Sequence, residues 1–94
     1  MTDASAARFD LPARLTLDEA RTVAEALEQA VAAMARGARL TVDGQALSQF
    51  DSSALAVLLA SQRAAAQREV TLQVQGLPAR LQELAGLYGV AEQV

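Results

Sequence analysis

The residues of this chain best suited to chemistry are an acid and two hydroxyls, Asp51, Ser52 and Ser53, directly in front of the apolar run 54–60. The run is too short to cross a bilayer, which takes about 20 residues, and the pattern predicts a loop that opens a helix. A helix start offers free backbone N–H groups and a partial positive charge. A serine exposed there is suited to carry a phosphate or to contact a partner, although Asp51 and Ser53 also fit the ordinary role of helix N-caps.

A second carboxylate, Asp43, lies at the end of a predicted strand, and together with Asp51 it suggests Mg²⁺ binding or acid–base chemistry. The rest of the composition argues against a catalytic function, because the chain has no His, Cys or Lys and no glycine-rich phosphate loop. Histidine is the commonest general base and metal ligand, and a thiolate is the usual alternative ligand. We therefore expect no catalytic residues, no metal site and no cofactor.

Composition narrows the class of protein further. Of the 94 residues, 52% are hydrophobic, which is enough for a core, and the 22 alanines favour close packing of helices. The net charge is −3, and the eight arginines are spread along the chain without an aromatic platform, which argues against a nucleic-acid ligand. The N-terminus lacks the basic and apolar segments of a targeting signal. We expect one domain over residues 1–94, with 1–6 disordered, in the cytoplasm and at the inner membrane only through a partner.

Hydrophobic periodicity predicts alternating strands and helices. Thr16 and Glu19 fit a capping box at the start of a helix that runs to about Arg36, with Gly37 as its stop. Pro12 marks an edge, a turn or a break between two short strands. The predicted elements are strands at 8–11, 38–43 and 70–75, helices at 16–36 and 53–67, a loop at 44–49, a third helix from Pro78 to Gly89, and a short strand or tail at 90–94.

The spacing of strand 38–43, helix 53–67 and strand 70–75 suits a parallel crossover. The sequence therefore predicts an α/β fold with helices packed on a small mixed β-sheet. Functional sites in such folds usually lie at the carboxyl ends of parallel strands, where the turn 51–53 falls. The position of this turn favours a functional role for it.

The second predicted helix has two distinct stripes at 100° per residue. One stripe suits the sheet, with Val57 at its flank, and is formed by Leu55, Leu58, Gln62 and Ala65. The other combines a hydroxyl, small residues, a leucine and an arginine, and is formed by Ser52, Ala56, Leu59, Arg63 and Gln67. Because interfaces favour arginine and apolar centres, this second stripe is a candidate partner surface. The alternative is that Leu59 belongs to the core and that Arg63 is a solvated charge.

Over residues 8–93 the chain resembles the STAS domain family (sulfate transporter and anti-sigma-factor antagonist). The resemblance is strongest at the hydrophobic strand and loop followed by Asp51-Ser52-Ser53-Ala54-Leu55, which is similar to the family's Asp-Ser-Ser-(Gly/Ala)-Leu motif at a helix start. The N-terminal strands followed by a helix support it, as does the last helix with Leu84-Ala85-Gly86-Leu87-Tyr88-Gly89-Val90. The resemblance implies a STAS-type α/β fold.

Two functions are implied by this resemblance. The junction, the Leu-rich helix and the Leu-Tyr tail look most like the small cytosolic STAS subunit of the Mla (maintenance of lipid asymmetry) phospholipid transporter, which binds the ABC ATPase subunit and supports its activity. In anti-sigma-factor antagonists, the serine after the motif Asp is instead phosphorylated by a kinase-like anti-sigma factor, which blocks binding. Ser52 holds that position here, and Ala54 stands in place of the usual glycine. The implied partner-binding residues are Asp51, Ser52, Ser53, Ala56, Leu59 and Arg63.

Overall fold

The computed structural model describes residues 6–90. Strands and helices alternate along most of this range, as the sequence predicts. In chain order the elements are β1 (Ala6–Asp10), β2 (Arg14–Leu15), α1 (Leu17–Ala32), β3 (Arg39–Asp43), β4 (Gln49–Phe50), α2 (Ser52–Gln67), β5 (Thr71–Gln75) and α3 (Ala79–Leu87). None of the helices within 6–90 is long and apolar enough to span a bilayer.

The strands form two small sheets in which every described pairing is parallel. The larger sheet has the order β1-β3-β5, with β3 in the centre, and β2 pairs with β4 in a separate two-stranded sheet. Arg39 of β3 lies opposite Ala6 on one side and Thr71 on the other. The predicted α/β class and the predicted crossover from β3 through α2 to β5 are both confirmed.

The core lies between one face of the three-stranded sheet and the helices. Leu40 and Val42 of β3 are buried, together with Leu72 of β5, because alternate side chains of a strand point to the same face. The helices α1 and α2 pack against each other over this face. The opposite sheet face carries polar side chains such as Arg39 and Gln73, which are exposed.

The helix α1 begins as predicted but ends earlier. Both bonds of the capping box form, between the Thr16 side chain and the helix backbone and between the Glu19 side chain and the Thr16 amide. The prediction that α1 runs to Arg36 was wrong by four residues, since the helix ends at Ala32. The chain must turn there toward β3, and Gly37 (φ +83°) donates its amide hydrogen to the carbonyl oxygen of Glu69 at 2.8 Å.

Other boundaries differ by a few residues. Ala6, which the sequence placed in the disordered end, begins β1, and Leu11 follows the strand rather than closing it. Pro78 is the N-cap of α3 and precedes its first turn. The loop predicted at 44–49 includes Gln49, the first residue of β4, which was not predicted as a strand. Val90 is in no strand, and the remainder of the predicted last element lies outside the described residues.

Candidate functional site: the start of α2

The carboxylate of Asp51 caps two helices at once. One oxygen, Oδ1, accepts the amide hydrogen of Ser53 at 2.8 Å, which is the N-cap bond of α2. The other, Oδ2, accepts the amide hydrogen of Leu17, the first residue of α1, at 3.1 Å. Asp51 therefore satisfies a free N–H group at each helix start and ties the two starts together.

These bonds favour the ionised form of Asp51. The hydrogen bond from the Ser53 amide has the largest effect and holds the pKa of Asp51 below its ordinary value, and the bond from Leu17 acts in the same direction. Partial loss of hydration opposes them without reversing the shift. The motif acid thus has a structural task within this chain, because both of its oxygens are occupied by backbone amides.

The serine after Asp51 is exposed to solvent at the first position of α2. Ser53, one residue later, is half-buried, and its amide is already bonded to Asp51. Of the two hydroxyls, Ser52 is therefore the more accessible to a kinase or a partner protein. Ala54 is fully buried, so its methyl group packs in the core and does not narrow the approach to Ser52.

The rotation of α2 agrees with the predicted inward stripe. Leu55, Leu58 and Ala65 are buried, and Gln62 is half-buried, where its side-chain amide donates to the Leu72 carbonyl of β5 at 3.2 Å. Val57 is buried at the flank, and two further buried positions, Ala54 and Ser61, were not predicted.

The opposite stripe of α2 faces solvent. Ala56 and Arg63 are exposed with Ser52, and Leu59 between them is half-buried. The fold therefore brings four of the predicted partner-binding residues onto one accessible side of the helix, and Ser53 is not among these four. Whether they bind a partner stays a prediction.

A shallow groove of about 340 Å³ runs along this side of α2 and is closed by the end of α3. Its lining residues are Ser52, Leu55, Ala56, Leu59, Tyr88 and Val90. Tyr88 is 61% exposed, and its neighbour Leu87 is 82% exposed. The sequence singled out the Leu-Tyr pair only as a family likeness. That Tyr88 and Val90 line the groove depends on how α3 packs against α2, which no local pattern gives.

A family model described as "Mlab, STAS domain" matches residues 2–94. The chain belongs to the STAS family. No curated protein matched the chain. The match spans nearly all of the sequence, so the motif at Asp51 and the groove beside it are parts of a STAS domain.

The other acid that the sequence singled out has a different role in this STAS domain. Asp43 is only 6% exposed and accepts hydrogen bonds from the side chains of Arg8 and Gln75 and from the amide of Gln45, at 3.0, 3.2 and 2.8 Å. The Gln45 amide, followed by the Gln75 side chain, holds the pKa of Asp43 below its ordinary value.

Asp43 and Asp51 bond to different residues and share no hydrogen-bonding partner within residues 6–90. Within residues 6–90, no group of three or more acidic side chains is arranged to hold a metal ion. Asp43, the last residue of β3, instead bonds to Arg8 of β1 and to Gln75 of β5 and so links the three strands of the larger sheet.

Proposed function

We propose that this STAS domain is a non-enzymatic subunit that binds and supports the ATPase of an ABC-type phospholipid transporter maintaining outer-membrane lipid asymmetry. The description of the matching family model names Mlab, and the match over residues 2–94 supports interpreting the sequence as one such domain. The contact is centred on the start of α2. On this proposal the chain acts in the cytoplasm and reaches the inner membrane through its partner.

The observation that carries the proposal is the accessible side of α2. Ser52 and Ala56 are small and exposed, so the backbone of a partner can approach the helix closely. Leu59 and Tyr88 supply apolar surface beside them, and Arg63 supplies a charge at the edge. An apolar centre with arginine at its rim is the usual composition of a protein interface. Asp51 supports this surface by fixing the helix start.

The proposal is tested by tagging the chain at endogenous expression in its native cells and identifying the retained proteins by mass spectrometry. We expect an ABC ATPase together with its permease. Ala56→Phe fills the groove and should reduce their recovery. Ala32→Phe is the matched control, because Ala32 is an exposed alanine in the last turn of α1 that lines a different, polar groove. Absence of any ATPase from the wild-type sample contradicts the proposal.

A second candidate function is an anti-sigma-factor antagonist switched by phosphorylation of Ser52. The exposure of Ser52 at a helix start favours it, since the hydroxyl is accessible to a kinase. A phosphate would add a charge of about −1.5 to −2 at a surface that already carries Asp51. The same experiment separates the two functions, because this one predicts a kinase-like partner and a phosphorylated form of Ser52.

A further inference from the structure

Arg63 extends the groove surface by one helical turn. It lies four residues after Leu59 on the exposed stripe of α2, about 6 Å farther along the helix axis. Arg8, Arg14, Arg21 and Arg36 each pair with an acid. Arg63, like Arg39, Arg68 and Arg80, forms no ion pair with any residue in 6–90. Its guanidinium is therefore available to a group outside this part of the chain.

The groove itself offers no negative charge to Arg63. Its lining contains one hydroxyl from Ser52, the phenol of Tyr88 and otherwise aliphatic side chains. The motif acid, Asp51, is the N-cap of α2, whereas Arg63 lies in the second half of the helix, and both oxygens of Asp51 accept backbone amides. The surface thus joins an apolar depression to an unpaired positive charge, although the chain as a whole carries a net charge of −3.

From this arrangement we infer that the segment of the ATPase subunit that docks on α2 inserts an apolar side chain into the groove and pairs a carboxylate with Arg63. The inference rests on the proposed function and specifies the chemistry of the partner at the same site. An arginine fork binds a carboxylate through two parallel hydrogen bonds, which fixes the direction of the docked segment along α2.

The chain has no lysine, which allows a direct test. The substitution Arg63→Lys therefore gives the chain a single side-chain amine. A carbodiimide joins an amine to a carboxylate only where the two are in contact. We expect the Arg63→Lys chain, in complex with the ATPase recovered with the wild type, to give a cross-link from position 63 to an Asp or Glu of the ATPase. Arg39→Lys is the matched control, because Arg39 is exposed on the sheet face opposite the helices and should give none.

Binding measurements complete the test. Arg63→Glu should weaken binding of the ATPase by about tenfold or more, and added salt should weaken the wild-type complex more than the complex of Arg63→Ala. A cross-link from position 63 to an acid of the same chain overturns the inference. The inference is also overturned if the ATPase retained by the wild type binds the Arg63→Glu chain equally well. If the wild type retains no ATPase at all, the proposed function itself fails.

Discussion

The carboxylate of Asp51 accepts a hydrogen bond from the backbone amide of Leu17, 34 residues earlier in the chain, at 3.1 Å. Its other oxygen caps α2 through Ser53. One side chain therefore holds together the starts of the two longest helices, beside the exposed Ser52. The acid of the STAS motif serves the architecture of the site, and the serine that follows it is left free for contact.

Two substitutions of Asp51 should distinguish how much each of its two capping bonds contributes to the stability of the fold. Asp51→Asn retains one side-chain oxygen, which can still accept from Ser53, but its NH₂ group cannot accept the amide hydrogen of Leu17. Asp51→Ala loses both acceptors. We expect the melting temperature to fall in the order wild type, Asp51→Asn, Asp51→Ala, measured by circular dichroism. A melting temperature of Asp51→Asn equal to that of the wild type would mean that the bond to Leu17 does not stabilise the fold.

The stability of the protein should depend on pH only in acid. The folded-state pKa values of Glu19, Asp43 and Asp51 lie below the ordinary values of 4.5 for Glu and 3.8 for Asp. Their contribution is therefore complete above those ordinary values and is lost as the pH falls through the lowered ones. With no histidine in the chain, we expect little change in unfolding free energy between about pH 5 and 7.

Urea unfolding at a series of pH values checks this dependence. Asp51→Asn should lose less stability than the wild type on acidification, because one of the three carboxyls is gone. A stability that rises as the pH falls below 3.8 would contradict the assigned direction of the shifts.

Adjacent leucines of α2 should respond differently to truncation. Leu58 is fully buried, so Leu58→Ala should cost about 2–5 kcal/mol of unfolding free energy by leaving a cavity. Leu59 is half-buried and lines the groove, so Leu59→Ala should cost less stability but reduce partner recovery. Denaturant unfolding and the pull-down measure the two effects separately. A larger loss of stability for Leu59→Ala would place the core on the other stripe.

A negative charge at Ser52 should weaken partner binding without unfolding the protein. Ser52→Glu puts a carboxylate at the first position of α2, where the helix dipole stabilises it by about 0.3–1 kcal/mol. We expect a melting temperature close to that of the wild type and reduced recovery of the partner. Gln29→Glu, which adds the same charge on the exposed side of α1, is the control. Normal binding of Ser52→Glu would remove Ser52 from the contact.

The features predicted well from the sequence are those set by neighbouring residues. The capping box of Thr16 and Glu19 and the alternation in β5 depend on side chains a few positions apart, and both were found. The end of α1 was missed because Ala33, Met34 and Ala35 favour a helix locally. The turn there is fixed by a distant bond from Gly37 to Glu69.

The parts of the site that were missed depend on tertiary packing. The pairing of β4 with β2 involves only two residues of each strand, which is too short to give a periodic signal. The second bond of Asp51, to Leu17, joins helices whose relative placement no local pattern specifies. The groove likewise needs the end of α3 to lie against α2. The exposed stripe of α2 was predictable because it follows from helical periodicity alone.

The parallel order β1-β3-β5 has a consequence for folding kinetics. The central strand, β3, pairs only with strands that are distant in the sequence. Each of them is roughly 30 residues away, and a helix lies between β3 and each partner strand. The helices involve local contacts and can form quickly, whereas the sheet requires two large loops to close. During synthesis on the ribosome, β3 must therefore wait with one edge unpaired until β5 has emerged.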